Sequence, residues 1–304
     1  MALNLAILRT RSLTAAVFLV VMLTGLLWNS WSFLVLISLI HFGCWAEYQR
    51  MMVLIDKEYA DISPLHRISV IIAGWCLMLY MVDGNLQIAG IPLRTVGWWG
   101  CLGFLCLFVI GEIIQYQTLN FRNIGRSGLG LVYISLGLAL LTYLRTLHYG
   151  LPSLFADRPH LFDGRVPVLM IIGSIWINDT MAYFVGSLMG KTPLSAISPK
   201  KTWEGTVGGV ILAIVVMGGI GYLLDNTPNW SLFAPVHWMA VAAIAAIAGT
   251  FGDLLESKLK RMAGIKDSGH ILPGHGGFLD RFDSLLVAAP FCWVYLMWVI
   301  EWNG

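Results

Sequence analysis

Long apolar runs dominate this chain, and they decide what it can fold into. Nine stretches of 15 to 21 residues contain almost no charged side chains. A helix needs about 20 apolar residues to cross the hydrocarbon core of a bilayer. Only helices and closed barrels satisfy their backbone hydrogen bonds in lipid. The runs therefore predict an all-α protein, a polytopic bundle of about nine transmembrane helices.

The overall composition agrees with this prediction. Only 12% of the 304 residues are charged, whereas a soluble domain carries about 25%. The predicted spans are residues 12–28, 31–47, 68–82, 95–115, 127–145, 166–186, 206–224, 237–252 and 285–300. Residues 51–55 (MMVLI) are also apolar, but they are too short to span and are expected at the membrane interface.

The distribution of basic residues predicts the orientation. With the N-terminus inside, 15 of the 19 lysines and arginines fall in cytoplasmic segments and 4 fall outside. Cytoplasmic loops of membrane proteins carry this excess of positive charge. The C-terminus is therefore expected outside, and the polar loops after spans six and eight are expected in the cytoplasm.

The chain divides coarsely at residue 165. Residues 1–165 are expected to form N-terminal transmembrane helices without polar motifs, and residues 166–304 to form the catalytic transmembrane region with its cytoplasmic loops. Three polar clusters lie in this second part. The first is WINDTMAYFVG, residues 176–186, in which Asn178 and Asp179 interrupt an apolar span. An ionisable group inside the membrane is a functional candidate. The alternative, that Asn178 and Asp179 form a buried pair that only bonds neighbouring helices, stays open.

The second cluster is SPKKTWEGTVGG, residues 198–209, at the start of the next span. Its polar candidates are Ser198, Lys200, Lys201, Thr202 and Glu204. Backbone N–H groups at a helix N-terminus bind anions, and lysines add positive charge. The alternative is that the lysines only anchor a cytoplasmic loop.

The third cluster is the richest, and it extends from Asp253 to Ser284. It holds a basic run, a glycine-rich turn (PGHGG) and two aspartates three residues apart, Asp280 and Asp283. Residues at i and i+3 share a helix face, and two carboxylates on one face are able to hold a hard cation such as Mg²⁺. Basic groups beside such a cation suit a phosphate-rich substrate. The competing interpretation is a solvated loop.

These residues resemble a known family. The stretch SKLKRMAGIKDSGHILPGHGGFLDRFD, residues 257–283, is similar to the signature of the phosphatidate cytidylyltransferases, also called CDP-diacylglycerol synthases. No departure from the signature occurs within it. The stretches NDTMAYFVG and SPKKTWEG resemble other polar motifs of that family, so the resemblance covers roughly residues 176–284.

The resemblance implies a reaction in which CTP and phosphatidic acid give CDP-diacylglycerol and pyrophosphate. It implies Mg²⁺ as the cofactor, held by Asp253, Asp280 and Asp283, and it allows a monovalent cation such as K⁺ beside it. The expected catalytic residues are Lys260, Arg261, Lys266, Asp267, His275 and Arg281. The expected substrate-binding residues are Asn178, Asp179, Ser198, Lys200, Lys201, Thr202, Glu204, Ser257, Lys258, Gly276 and Gly277.

The resemblance also sets expectations for partners and location. The partners are CTP, phosphatidic acid and the lipid bilayer, with no nucleic acid, and a homodimer is allowed. The expected location is a bacterial inner (cytoplasmic) membrane with the active site facing the cytoplasm. Two rivals stay open. One is a CTP-dependent lipid kinase, or a cytidylyltransferase for another lipid phosphate. The other is an ion-coupled transporter, which the confinement of polar groups to one half disfavours because transporters show repeat symmetry.

Overall fold

A computed structural model describes residues 5–82, 86–115, 120–147, 164–224, 234–269 and 276–303. Helices make up most of these residues. They are α1 (Leu5–Leu27), α2 (Ser30–Ile55), α3 (Pro64–Tyr80), α4 (Leu93–Gln115), α5 (Phe121–Gly130), α6 (Gly137–Thr146), α7 (Arg165–Met189), α8 (Trp203–Leu224), α9 (Pro235–Met262) and α10 (Leu279–Asn303). A 3₁₀ turn, Lys57–Asp61, follows α2, and a π-helical segment, Leu131–Leu136, joins α5 to α6.

The helices confirm an all-α polytopic architecture. Within the described ranges, seven helical stretches are long and apolar enough to cross a membrane, and α5, the π-helical segment and α6 count as one of them. Two further apolar helices, Ala16–Leu27 and Pro64–Tyr80, are shorter. Each of the nine predicted spans overlaps a helix, so the apolar runs located the helices correctly, while nine crossings and the orientation stay predictions. Residues 51–55 continue α2, and Met51 and Met52 are buried, while the expected position of this stretch at the membrane interface stays a prediction.

Side-chain caps explain where several helices begin. Asn29 accepts from the Ser32 backbone N–H at 2.7 Å, and Ser32 Oγ accepts from the Asn29 N–H at 3.0 Å, which makes a reciprocal capping box at α2. Ser63 caps α3, whose first residue is a proline. These caps place the starts of α2 and α3 in the polar segments that separate the apolar runs.

A short β-hairpin precedes α4. Strands β1 (Gln87–Ile88) and β2 (Ile91–Pro92) pair antiparallel, with Ile88 opposite Ile91. The two turn residues, Ala89 and Gly90, both have positive φ, at 50° and 80°, and this conformation matches the twist of a tight hairpin. Both isoleucines are exposed.

The chain forms two compact units, and the first consists of residues 1–143 and 259–282. Its core holds large, fully buried side chains, among them Trp45, Tyr48 and Tyr59. Polar groups are buried here as well. The Ser135 hydroxyl, in the π-helical segment, accepts from Trp45 Nε1 at 2.9 Å and lies 3.0 Å from His41 Nε2. The N-terminal helices therefore pack around internal hydrogen bonds that the apolar sequence did not indicate.

The second unit consists of residues 144–258 and 283–304. In this unit α7 and α8 pack closely at small residues one turn apart. A Cβ added to Gly205 would meet the Ala182 carbonyl oxygen at 2.7 Å, and one added to Gly209 would meet the Asn178 carbonyl oxygen at 2.8 Å. Small residues spaced by four let membrane helices approach this closely. The contact fixes α7, and with it Asn178 and Asp179, against the start of α8.

Candidate active site

The loop between α7 and α8 is folded back on itself. Pro193 and Thr202 form an antiparallel bridge, and the Trp203 N–H donates to the Thr192 carbonyl at 2.9 Å. Glu204 closes the loop, because its carboxylate accepts from the backbone N–H groups of Lys191 and Thr192 at 3.1 and 3.2 Å. This arrangement holds Lys201 at the entrance to α8.

Lys201 pairs with an acid on another helix. Its Nζ lies 2.7 Å from an oxygen of Asp253 on α9, and about a third of each side chain is exposed, 35% and 27%. Asp179 of α7 is exposed and close enough to interact electrostatically with both groups. Three polar residues that lie far apart in the sequence therefore form one charged cluster in the second unit, which we call the Lys201 cluster.

Asn178 and Asp283 border this cluster in different ways. Asn178 is 4% exposed, and its Nδ2 reaches Asp179 only at 3.5 Å, while its buried Oδ1 has no hydrogen-bond partner among the described residues. Asp283 is buried and accepts from the Ser284 N–H at 2.6 Å. A Cβ added to Gly252, the residue before Asp253, would meet the Asp283 backbone, so α9 and α10 touch at this point.

The signature region in the first unit is organised around Asp280. Lys260 Nζ donates to its Oδ1 at 2.6 Å. Its Oδ2 accepts from the Ser268 N–H, the Ser268 hydroxyl and the Gly277 N–H, each at 2.9 Å. The φ of Gly276 is +81°, which favours glycine, and an added Cβ would meet Asp280 Oδ2 at 2.8 Å. Both oxygens of Asp280 therefore serve the fold of the loop.

A residue outside every predicted motif completes this loop. Glu47 of α2 is 4% exposed. It accepts from the Ser268 hydroxyl at 2.7 Å and from the Phe278 and Leu279 N–H groups at 2.9 and 2.8 Å. The sequence did carry one signal for it, since Glu47 is an acid at the end of an apolar span, and such acids are functional candidates.

The remaining predicted residues have mostly solvent-facing positions. Lys200, Lys258, Arg261, Lys266, Asp267 and Arg281 are exposed, while Ser198, Thr202 and Ser257 are half-buried. Thr202 Oγ1 caps α8 by accepting from the Gly205 N–H at 3.1 Å. His275 and its neighbour His270 lie outside the described residues. The exposed basic groups remain able to meet an anionic substrate.

The fit to a divalent cation rests on the carboxylates that the fold brings together. Among the described residues, no three His, Cys, Asp or Glu side chains form a group that would hold a metal ion. Mg²⁺ commonly binds through one or two carboxylates together with waters and substrate phosphates. Asp179 and Asp253 in the Lys201 cluster suit that mode. Asp280, with four donors on its two oxygens, would have to release some of them to bind a cation.

A second polar chain is buried among the N-terminal helices. His66 Nδ1 lies 2.7 Å from Glu112, and His66 Nε2 lies 2.7 Å from Ser127 Oγ. Tyr59 O–H lies 3.0 Å from the same serine oxygen. The order of groups is that of a Ser-His-acid triad, which the sequence did not indicate. All four side chains are at least 95% buried, so the chain ties the 3₁₀ turn, α3, α4 and α5 together.

Comparison with known proteins identifies the family. The model of the cytidylyltransferase family matches residues 9–299. This chain belongs to the cytidylyltransferase family. It is 29% identical to the phosphatidate cytidylyltransferase of Synechocystis over 300 residues, which covers 94% of this chain and 96% of that protein. The match therefore includes the N-terminal helices as well as the motif region.

Two further relatives share a smaller part of the chain. The Bacillus subtilis phosphatidate cytidylyltransferase is 35% identical over 63% of this chain and 67% of its own length. The chloroplastic phosphatidate cytidylyltransferase 4 of Arabidopsis thaliana is 38% identical over 50% of this chain, and the match spans only 38% of the length of that protein. The resemblance found in residues 176–284 is thus confirmed at the level of the family.

Proposed function

We propose that this protein transfers the cytidylyl group of CTP to phosphatidic acid in a membrane, which gives CDP-diacylglycerol and pyrophosphate. The observation that carries the proposal is the family match over residues 9–299, together with the Synechocystis phosphatidate cytidylyltransferase, which matches 94% of this chain. In the reaction, a phosphate oxygen of phosphatidic acid forms a bond to the α-phosphorus of CTP. The bond from that phosphorus to the bridging β-phosphate oxygen breaks, and pyrophosphate leaves.

The chemistry asks the protein mainly to neutralise charge. The nucleophile is already an anion near neutral pH, so the barrier comes from bringing two phosphate groups together. The Lys201 cluster supplies a lysine whose charge is balanced by Asp253 and which stays one-third exposed. We propose that a substrate phosphate competes with Asp253 for Lys201, and that the exposed Lys200 and Lys258 of the same unit contribute further positive charge. Arg261, Lys266 and Arg281 of the first unit stay predicted catalytic residues.

We propose Mg²⁺ as the cofactor, with Asp253 as its principal protein ligand. When bound, Mg²⁺ would neutralise developing charge on the phosphate oxygens. Asp179 supports this assignment because it lies within electrostatic reach of Asp253. Asp280 and Asp283 stay predictions as further ligands of the cation. K⁺ stays a prediction as a second, monovalent ion beside it.

The membrane placement is part of the proposal. We propose nine crossings, with the N-terminus and the motif loops in the cytoplasm of a bacterium, where CTP is made. Cysteine labelling tests this. Met262→Cys, at the exposed end of α9, should react with an impermeant thiol reagent only from the cytoplasmic side, and Ile88→Cys in the hairpin only from outside. The unsubstituted protein, with its five native cysteines, is the control. Reversed labelling would overturn the orientation.

The reaction itself is tested with purified protein in detergent, Mg²⁺, labelled CTP and phosphatidic acid. The expected products are pyrophosphate and CDP-diacylglycerol in equal amounts. Release of CDP with transfer of the γ-phosphate to a lipid alcohol would instead identify a CTP-dependent lipid kinase. The molar mass of the same preparation tests whether the protein is a homodimer.

A further inference from the structure

Glu47 occupies an unusual position for an acid. It lies on α2, in the N-terminal part of the chain, and it is 4% exposed. A buried carboxylate is costly unless hydrogen bonds compensate the lost hydration. Within the described part of the chain, its three hydrogen-bond donors are Ser268, Phe278 and Leu279, more than 220 positions later in the sequence.

These donors come from both ends of one loop. The Ser268 hydroxyl lies at the end that follows α9, and the Phe278 and Leu279 N–H groups lie at the start of α10. The first N–H groups of a helix have no partner within the helix, and an acid at this end is favoured by the helix dipole. Glu47 therefore caps α10 and joins the two loop ends through one side chain.

The residues packed against Glu47 are glycines, and larger residues at these positions would not fit. A Cβ added to either Gly269 or Gly277 would collide with the Glu47 carboxylate. One turn earlier on α2, a Cβ added to Gly43 would collide with the Phe278 ring. Gly43 and Glu47 share one face of α2, so this face packs closely against the beginning of α10.

Asp280 holds the same loop from within the signature. It accepts from the Ser268 and Gly277 N–H groups, which are again one group from each end. The Ser268 hydroxyl lies 2.7 Å from Glu47 and 2.9 Å from Asp280, so its single proton serves one carboxylate at a time. The two acids thus hold both described ends of the segment between α9 and α10, next to Lys266 and Asp267.

We propose that Glu47 is a positioning residue for the cytidylyl transfer: it fixes Ser268 and the beginning of α10, and with them the nearby exposed basic residues Lys266 and Arg281, so that these two side chains face the phosphates of the substrates. The inference rests on the proposed function. Glu47 acts through Ser268 and the α10 N-terminus and does not itself contact substrate. An error of about 1 Å in such a loop is enough to lower a rate on the order of 10²-fold.

The test compares two buried glutamates in the full-length protein. Glu47→Gln keeps the shape but turns one acceptor into a donor that faces backbone N–H groups. Glu112→Gln is the matched control, because Glu112 is also 4% exposed in the first unit but bonds to His66 and not to the loop. Each variant is purified in detergent, and kcat and KM for CTP are measured together with hydrogen exchange of the Phe278 and Leu279 amides.

For Glu47→Gln we expect kcat/KM for CTP to fall on the order of 10²-fold, with a raised KM and faster exchange at Phe278 and Leu279. Glu112→Gln should lower only the folded fraction, so that kcat falls in proportion while KM and the exchange at these amides stay unchanged. Glu47→Asp retains the charge on a shorter side chain and should recover part of the loss.

The same change of KM and exchange in both variants, or in neither, would overturn the proposal. If Glu47→Gln does not fold, Ser268→Ala removes only the hydroxyl that joins Glu47 to the α9 end of the loop, and an unchanged KM for CTP in this variant would overturn the proposal as well. A wild-type protein that makes no CDP-diacylglycerol would instead refute the proposed function, and the exchange measurement would still decide whether Glu47 holds the loop.

Discussion

Two carboxylate–lysine pairs of this chain have different surroundings. In the Lys201 cluster, Asp253 has Lys201 at 2.7 Å, and about a third of each side chain is exposed. In the signature loop, Asp280 has Lys260 at 2.6 Å, but the side chains are only 15% and 11% exposed, and three further donors bind Asp280. Asp253 therefore retains room for a ligand, whereas Asp280 is already used by the protein.

This difference in exposure and hydrogen bonding indicates different roles for Asp253 and Asp280, although both are aspartates paired with a lysine. A carboxylate with exposed surface is able to exchange a lysine for a cation or for substrate. A carboxylate with four donors loses several charge-assisted hydrogen bonds if it turns toward a ligand. We therefore expect substitutions of Asp253 to alter metal dependence, and substitutions of Asp280 to alter stability and loop geometry.

The largest expected effect is that of Asp253→Asn. The amide keeps the size of the side chain but removes the formal charge that attracts a hard cation. We expect cytidylyl transfer to fall on the order of 10²-fold or more, since a bound metal contributes several kcal/mol of charge stabilisation. The Mg²⁺ concentration at half-maximal rate should rise, and excess Mg²⁺ should restore part of the activity.

A Mg²⁺ titration of wild type and variant in the same detergent is the measurement, with a thermal melt to confirm folding. Lys200→Ala is the control for the Mg²⁺ midpoint, because it removes an exposed charge next to Lys201 and leaves the Lys201–Asp253 ion pair in place. A variant with normal Mg²⁺ dependence would remove Asp253 from the metal site and direct attention to Asp179 and Asp283.

The next effect is that of Asp280→Asn, which tests the other half of the comparison. The amide would direct N–H groups at Lys260 or at the loop N–H groups. Charged hydrogen bonds contribute about 1.5–3 kcal/mol each, so the free energy of unfolding should fall by about 2–3 kcal/mol. Activity should fall on the order of 10-fold, with the Mg²⁺ midpoint unchanged. A shift of that midpoint as large as in Asp253→Asn would identify Asp280 as a metal ligand after all.

The sequence predicted the helices well and the partners of polar residues poorly, for a physical reason. The apolar runs located the spans because the bilayer demands about 20 apolar residues wherever a helix crosses. The contact between Glu47 and the loop that Asp280 holds could not be predicted in this way. Glu47 and Asp280 are 233 positions apart, and no local sequence pattern encodes a contact across that distance. Asp280 and Asp283 were correctly expected on one helix, yet their hydrogen-bond partners depend on neighbouring segments.

Glu204 illustrates the same limit in the second unit. Its position between two lysines and a glycine-rich helix start predicted a substrate-binding group. In the structure its carboxylate accepts from the Lys191 and Thr192 N–H groups, so it shapes the loop that presents Lys201. The spacing indicated that the loop is important, but it did not distinguish a group that touches substrate from one that holds the loop.

Glu204→Gln therefore has a moderate expected effect. Only one oxygen of the amide accepts hydrogen bonds, so one of the contacts to Lys191 and Thr192 is weakened. We expect KM for CTP to rise a few-fold, because the loop that presents Lys201 loses part of its support, while the Mg²⁺ midpoint and kcat stay near wild type. Steady-state kinetics with varied CTP measure this. A loss on the order of 10²-fold in kcat would show that Glu204 acts directly on the reacting groups.

The smallest expected effect concerns the buried chain of Tyr59, Ser127, His66 and Glu112. Its four side chains satisfy one another and are closed to solvent, so we expect it to support the packing of the helices and not to react. Ser127→Ala should lower the free energy of unfolding by about 1–3 kcal/mol, because His66 and Tyr59 each lose a buried partner. Activity per folded molecule should not change, since catalysis needs access that the burial of Ser127 denies.

Tyr59→Phe removes a second hydroxyl from the same chain, and the double variant should be less destabilised than the sum of the two single variants, because the groups share a bond. Thermal melts and kcat measured on the same samples test both statements. A loss of kcat in Ser127→Ala that exceeds its loss of folded protein would show that this chain communicates with the reaction.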